Sequence, residues 1–112
     1  MATFHQEARA LYQVLAMNPH LEHLPEKIRE DAGYAILAAE KRLEELMREH
    51  RGYWLGDIVQ HGNRGPFLVD SFAQREGFEN MVVVLRPLKA DGTPAKKTVW
   101  EYLDTKLTLV AK

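Results

Sequence analysis

Five histidines, His5, His20, His23, His50 and His61, are the side chains of this chain best suited to bind a metal or move a proton near neutral pH. His20 and His23 lie three apart beside Glu22 and Glu26. A zinc centre needs converging donors with a third partner, and the spacing of zinc peptidases, two histidines four apart with a glutamate after the first, is absent. We read this stretch as a polar linker. Asp57 and Asp70 are placed to face one another across a predicted hairpin, but two carboxylates share acid–base work only when their surroundings split their pKa values. Turn chemistry and strand-end solvation explain both. Ser71 is the only serine and lies mid-strand, without the sharp turn that exposes a nucleophile. The Gly62–Gly65 stretch lacks the Lys-Ser/Thr of a phosphate loop and reads as a hairpin turn. There are no cysteines, which excludes a thiol nucleophile, a disulfide scaffold and an iron–sulfur cluster. The expectation is a protein that is not an enzyme, with no cofactor and no metal.

Residues suited to binding are easier to find. The 112-residue chain carries 15 Lys/Arg against 16 Asp/Glu, a net charge of -1. The charge is uneven: residues 1–50 hold six basic and nine acidic side chains, and residues 51–112 hold nine and seven. In the second part Arg64, Arg75, Arg86, Lys89, Lys96 and Lys97 fall in or near predicted turns, interleaved with Tyr53, Trp54, Phe72, Phe78, Trp100 and Tyr102. Cations beside aromatics can grip nucleic-acid phosphates while bases stack. Specific nucleic-acid binders show a denser basic stripe than this. A protein partner is therefore the first expectation and nucleic acid the alternative. The candidate binding residues are Tyr53, Trp54, Arg64, Arg75, Arg86, Lys96, Lys97 and Trp100. Tyr53 and Trp54 also read as core packing between a helical part and a β part, since large aromatics usually bury.

Two helices and five strands must position these residues. Thr3 and Gln6 have capping-box spacing at the start of a helix over 3–17. Phe4, Ala8, Leu11, Val14 and Leu15 line one face of it, and Asn18-Pro19 ends it. Pro25 suits the first position of a second helix, closed by Gly52 after Arg48, His50 and Arg51. Its stripe is Ile28, Ala32, Ala35, Ile36, Ala39, Leu43, Leu46 and Met47, and Gly33 is read as marking a close helix crossing. Beyond Gly52, β-branched and aromatic residues alternate between Gly and Pro punctuation. Strands are predicted at 55–61, 66–72, 80–88, 97–101 and 107–111. The turns fall at 62–65, around Arg75-Glu76-Gly77, at Asp91-Gly92-Thr93-Pro94 and at 102–105. Helices followed by strands indicate the α+β class, here one domain of residues 1–112 with a helical hairpin over 3–51.

Gly56-Asp57-Ile58-Val59, followed by Gly62, Gly65, Phe67 and Val69, resembles the opening hairpin of KOW, Tudor and other Src-homology-3-like small barrels. The ending Trp100–Val110, a strand, a one-turn bend and a short apolar strand, is similar to the way such barrels close. The resemblance covers about residues 53–111 and implies a five-stranded antiparallel small barrel. Small barrels of this kind commonly hold a partner through loops and an open strand edge.

The longest apolar runs, Ala35–Ala39 and Met81–Leu85, are five residues each, against the ~20 of a membrane-spanning helix. No basic segment followed by an apolar core opens the chain. A cytoplasmic accessory module of the phage or mobile-element type, occupying a protein surface, fits this size and composition. Self-association through the second helix, at Leu43, Leu46 and Met47, is a further expectation.

Overall fold

A computed structural model of the chain describes residues 3–16, 25–74 and 81–111. Among the described residues it has two helices followed by five antiparallel strands, the α+β class. The elements are α1 (Phe4–Ala16), α2 (Glu26–His50), β1 (Ile58–His61), β2 (Arg64–Ala73), β3 (Val82–Pro87), β4 (Val99–Tyr102) and β5 (Thr108–Ala111). The chain divides into two compact units, residues 1–46 and 47–112, and the division falls inside α2. No helix among the described residues is long and apolar enough to cross a membrane. The predicted linker with His20, Glu22 and His23, and the turn with Arg75, Glu76, Gly77 and Phe78, lie outside the described residues.

The first unit begins with the expected cap. The Thr3 hydroxyl accepts from the Gln6 N–H at 3.2 Å, and the Gln6 side chain accepts from the Thr3 N–H at 3.0 Å, so two donors that lack helical partners are satisfied reciprocally. Arg42 of α2 donates to Glu7 of α1 at 3.0 Å and to Glu45 at 3.4 Å. Ala8, Ala39, Leu43 and Leu46 are buried. Gly33 does not mark a helix crossing: a Cβ built there meets nothing within 4 Å, so open space lies beside it.

The second unit contains the end of α2. The N–H groups of Arg51 and Gly52 both donate to the Met47 carbonyl, at 2.8 and 2.9 Å, and Gly52 takes φ 83°, the left-handed conformation that closes a helix. The strand order is β4-β3-β2-β1-β5, with every neighbouring pair antiparallel. β4 and β5 are its terminal strands, so the sheet is open rather than closed into a barrel. Val59, Phe67, Val69, Val83 and Leu85 are buried on it, with Met81, Val82, Leu103 and Leu107.

The first hairpin is tighter than its glycines suggest. Only Gly62 and Asn63 form the turn, because His61 already pairs with Arg64. The register then shifts between His61 and Val59, which is opposite Phe67. Gly65 absorbs that shift at φ 119°, where a Cβ would lie 3.1 Å from the Phe67 ring. A second irregularity lies in β2. Val69 pairs with Leu85 and Ser71 with the adjacent Val84, leaving Asp70 as an extra residue. Val69 and Phe72 are three apart, yet they pair with Leu85 and Val83, two apart on β3. The bulge keeps both on one face.

Candidate functional site

Local sequence explains where each chemical group sits. Asp57 follows the helix end by a short turn and is buried at 4% exposure. Its Oδ2 accepts from the Trp54 N–H at 3.0 Å and from Arg48 Nη1 at 3.3 Å. Asp70, the bulged residue, accepts from Arg86 Nε at 2.8 Å and from the Ser71 hydroxyl at 3.2 Å. Each aspartate is therefore engaged by its own arginine, Asp57 by Arg48 and Asp70 by Arg86. Ser71 donates to a carboxylate that Arg86 already neutralises. On β4, Glu101 lies 3.4 Å from His61 Nδ1 and accepts from the Thr105 hydroxyl at 3.4 Å.

The predicted binding residues separate into three sets. Tyr53 and Trp54 are buried, at 0% and 8% exposure, and the Trp54 ring lies 5.6 Å from that of Phe72. Burial takes both off the surface and makes them core. It also holds Tyr53 neutral: loss of solvent pushes its hydroxyl up to about 12, partly offset by Arg51. Arg64 is exposed in the β1–β2 hairpin, a different connection from the rest, and Arg75 lies outside the described residues.

The remaining four, Arg86, Lys96, Lys97 and Trp100, are brought together by β3, β4 and the connection between them. Trp100 is opposite Val84, and Tyr102 is opposite Val82. Alternation places both rings on one face of a terminal strand. Their centroids are 5.3 Å apart with planes at 89°, an edge-to-face pair, and Tyr102 is 50% exposed. Arg86 is two residues beyond Val84 on the same strand face. Its Nη1 donates to the carbonyls of Ala95 and Lys96 at 3.2 and 3.1 Å. The guanidinium thus ties the β3–β4 connection to β2 through Asp70 rather than presenting a cation. The predicted Asp91–Pro94 turn forms within this connection, with Asp91 Oδ1 accepting from the Thr93 N–H at 3.0 Å and hydroxyl at 2.6 Å. Those bonds hold the Asp91 carboxyl below its ordinary range. Lys96 and Lys97 are left exposed at the approach to β4.

What results is an aromatic pair on an open strand edge, with two lysines beside it and an arginine fixing the loop that carries them. Tyr102 was discernible in the sequence as an aromatic two residues from Trp100; its partnership with that ring depends on both lying in β4. Comparison with protein-family models, with curated proteins and with solved structures finds no match to this chain.

Proposed function

We propose that this chain is a non-enzymatic binding module that holds a protein partner against β4, with the Trp100–Tyr102 pair as the apolar anchor and Lys96 and Lys97 as a basic rim. The observation that carries this reading is the edge-to-face pair on a terminal strand, half exposed at Tyr102. Terminal strands offer unpaired backbone groups to an incoming segment, and exposed aromatics are common interface anchors. The sheet reads as a Src-homology-3-like small barrel opened at one seam. Supporting this are the long bulged β2 shared between β5-β1-β2 and β2-β3-β4, and the one-turn bend in which Thr105 N–H donates to the Tyr102 carbonyl at 3.0 Å. A cytoplasmic accessory role of the phage or mobile-element type belongs to the same reading.

Charge pairing favours protein over nucleic acid. Arg48, Arg51 and Arg86 are spent on Asp57, Asp104 and Asp70, which leaves a thin basic surface for phosphates. The test is capture of partners by the immobilised full chain from host lysate, with and without nuclease. A protein that survives nuclease and is lost with Trp100→Ala/Tyr102→Ala supports the reading; truncating an anchor costs about 2 kcal/mol or more, roughly 30-fold in affinity. Loss on nuclease, with a gel shift abolished by Lys96→Glu/Lys97→Glu and steep weakening between ~50 and ~200 mM salt, would replace it with nucleic-acid binding.

A further inference from the structure

The face of α2 that the sequence stripe leaves out carries a pattern of its own. Tyr34 and Leu37 are 73% and 64% exposed, on a helix whose Leu43, Leu46 and Met47 are buried. Those buried three are therefore not the surface through which α2 can associate. Tyr34 and Leu37 border an open groove with Gly33, Glu30, Ile36 and Glu40. Extending outward in alternating steps of three and four gives Lys27, Glu30, Tyr34, Leu37, Lys41 and Glu44. That is the spacing of one seam of a coiled coil. Lys27, Glu30 and Lys41 are exposed and Glu44 is half-buried.

The order of these six residues is self-complementary about a two-fold axis between residues 35 and 36. Laid antiparallel on a second copy, Tyr34 meets Leu37, Glu30 meets Lys41 and Lys27 meets Glu44, each contact occurring twice. Laid parallel, Lys27, Glu30, Lys41 and Glu44 would each meet themselves, four like-charge contacts. Sliding the antiparallel pair by one heptad sets Tyr34 against Glu30 and Leu37 against Lys27 in one direction, or Tyr34 against Glu44 and Leu37 against Lys41 in the other. Only one register joins apolar to apolar and cation to anion throughout. Gly33, with open space where a side chain would stand, leaves room beside the seam for the incoming Tyr34 ring.

We infer that this face of α2 seats a second copy of the chain, as an antiparallel two-helix contact over residues 27–44. The seam is about 27 Å long at ~1.5 Å per residue. One helix face of that length is smaller than a standard stable interface, so the dimer is weak and concentration-dependent. The inference uses residues of α2 only and does not depend on the partner proposed for β4.

Sedimentation velocity on the full chain, from about 10 to 500 µM, reads the association directly. The weight-average mass should rise from one chain towards two across that range. Glu30→Lys alone places lysines opposite each other at two points and should weaken dimerisation at least tenfold; Lys41→Glu alone should do the same with glutamates. The double change Glu30→Lys/Lys41→Glu should restore the original constant within about threefold, and an equimolar mixture of the two single variants should associate again. These positions are on the helix surface, and helical circular dichroism confirms each variant folded. A chain that stays monomeric at the highest concentration overturns the inference. So does association indifferent to the single changes, or failure of both the double variant and the mixture to recover it.

Discussion

Replacing Tyr53 with Phe should stabilise this protein, and the gain should grow in alkali. The Tyr53 side chain is fully buried, and its hydroxyl has no hydrogen-bond partner among the described residues. A buried hydroxyl stripped of water without a replacement bond costs about 1–3 kcal/mol. Phe keeps the ring and its packing, so Tyr53→Phe should gain about 1 kcal/mol at pH 7, or roughly 4 °C in Tm for a chain of this size. The alkaline part follows from proton linkage. Burial raises the hydroxyl from 10.0 to about 12 in the folded protein. Between those values the folded state keeps a proton that the unfolded chain releases, so wild-type stability is intact below pH ~10 and is lost as the pH climbs towards ~12. At pH 11 the loss is about 1.4 kcal/mol, and the phenylalanine variant escapes it. Urea unfolding of both chains at pH 7, 9 and 11 should give a stability gap near 1, 1 and 2.4 kcal/mol respectively. A variant less stable than wild type by about 1 kcal/mol at pH 7 would mean that the hydroxyl has a partner. A gap that does not widen at pH 11 would mean that the ring is not sealed from water.

Substitutions at three other positions test the scaffold. Asp57→Ala removes the acceptor of the Trp54 N–H and the partner of Arg48, and should cost about 2 kcal/mol in urea unfolding; Asp57→Asn keeps one acceptor oxygen and should recover part of that. At concentrations where the chain is monomeric, Gly33→Ala should stabilise by up to about 1 kcal/mol, because within one chain the added methyl meets nothing and α2 gains a better helix former. Gly65→Ala should destabilise by about 2 kcal/mol, because φ 119° is strained for alanine and its Cβ crowds the Phe67 ring. Thermal melts of the two glycine variants should shift in opposite directions.

The parts of the fold written in local chemistry were legible. The reciprocal Thr3–Gln6 bonds, the end of α2 at Gly52, the Asp91–Thr93 turn and the bend at 102–105 each follow from a few adjacent residues. The irregularities were not, since a bulge arises from pairing between strands. Nothing near Asp70 distinguishes an extra residue from an ordinary polar one until Leu85 and Val84 are set beside it. The candidate site divides the same way. Trp100, Lys96 and Lys97 stand out by type and by neighbouring turns, and they remain at the surface. Arg86 has the same charge, but its role as a tie between Asp70 and the 95–96 carbonyls comes from tertiary placement. Tyr53 and Trp54 carry equal aromatic character whether buried or exposed, and burial decides against contact with a partner. On α2, the strong apolar stripe masks the weaker seam opposite, where only two of six positions are apolar.

The bulge in β2 also determines how the chain can change length. Val69, Ser71, Phe72 and Ala73 are paired with Leu85, Val84, Val83 and Val82 in unbroken succession once Asp70 is set aside. One codon therefore carries the strand's bend and the anchor for Arg86, while the core on either side keeps its phase without it. Shortening by one residue here would straighten the strand and free the loop that bears Lys96 and Lys97, yet turn no buried side chain outward. Loss of Leu68 instead would draw Phe67 or Val69 out of its place, and loss of Phe67 or Val69 would remove a buried side chain, whereas loss of the adjacent Ser71 would only seat Asp70 opposite Val84. Insertions and deletions in descendants of this sequence have one point in β2, at Asp70-Ser71, at which they alter the binding side and spare the interior.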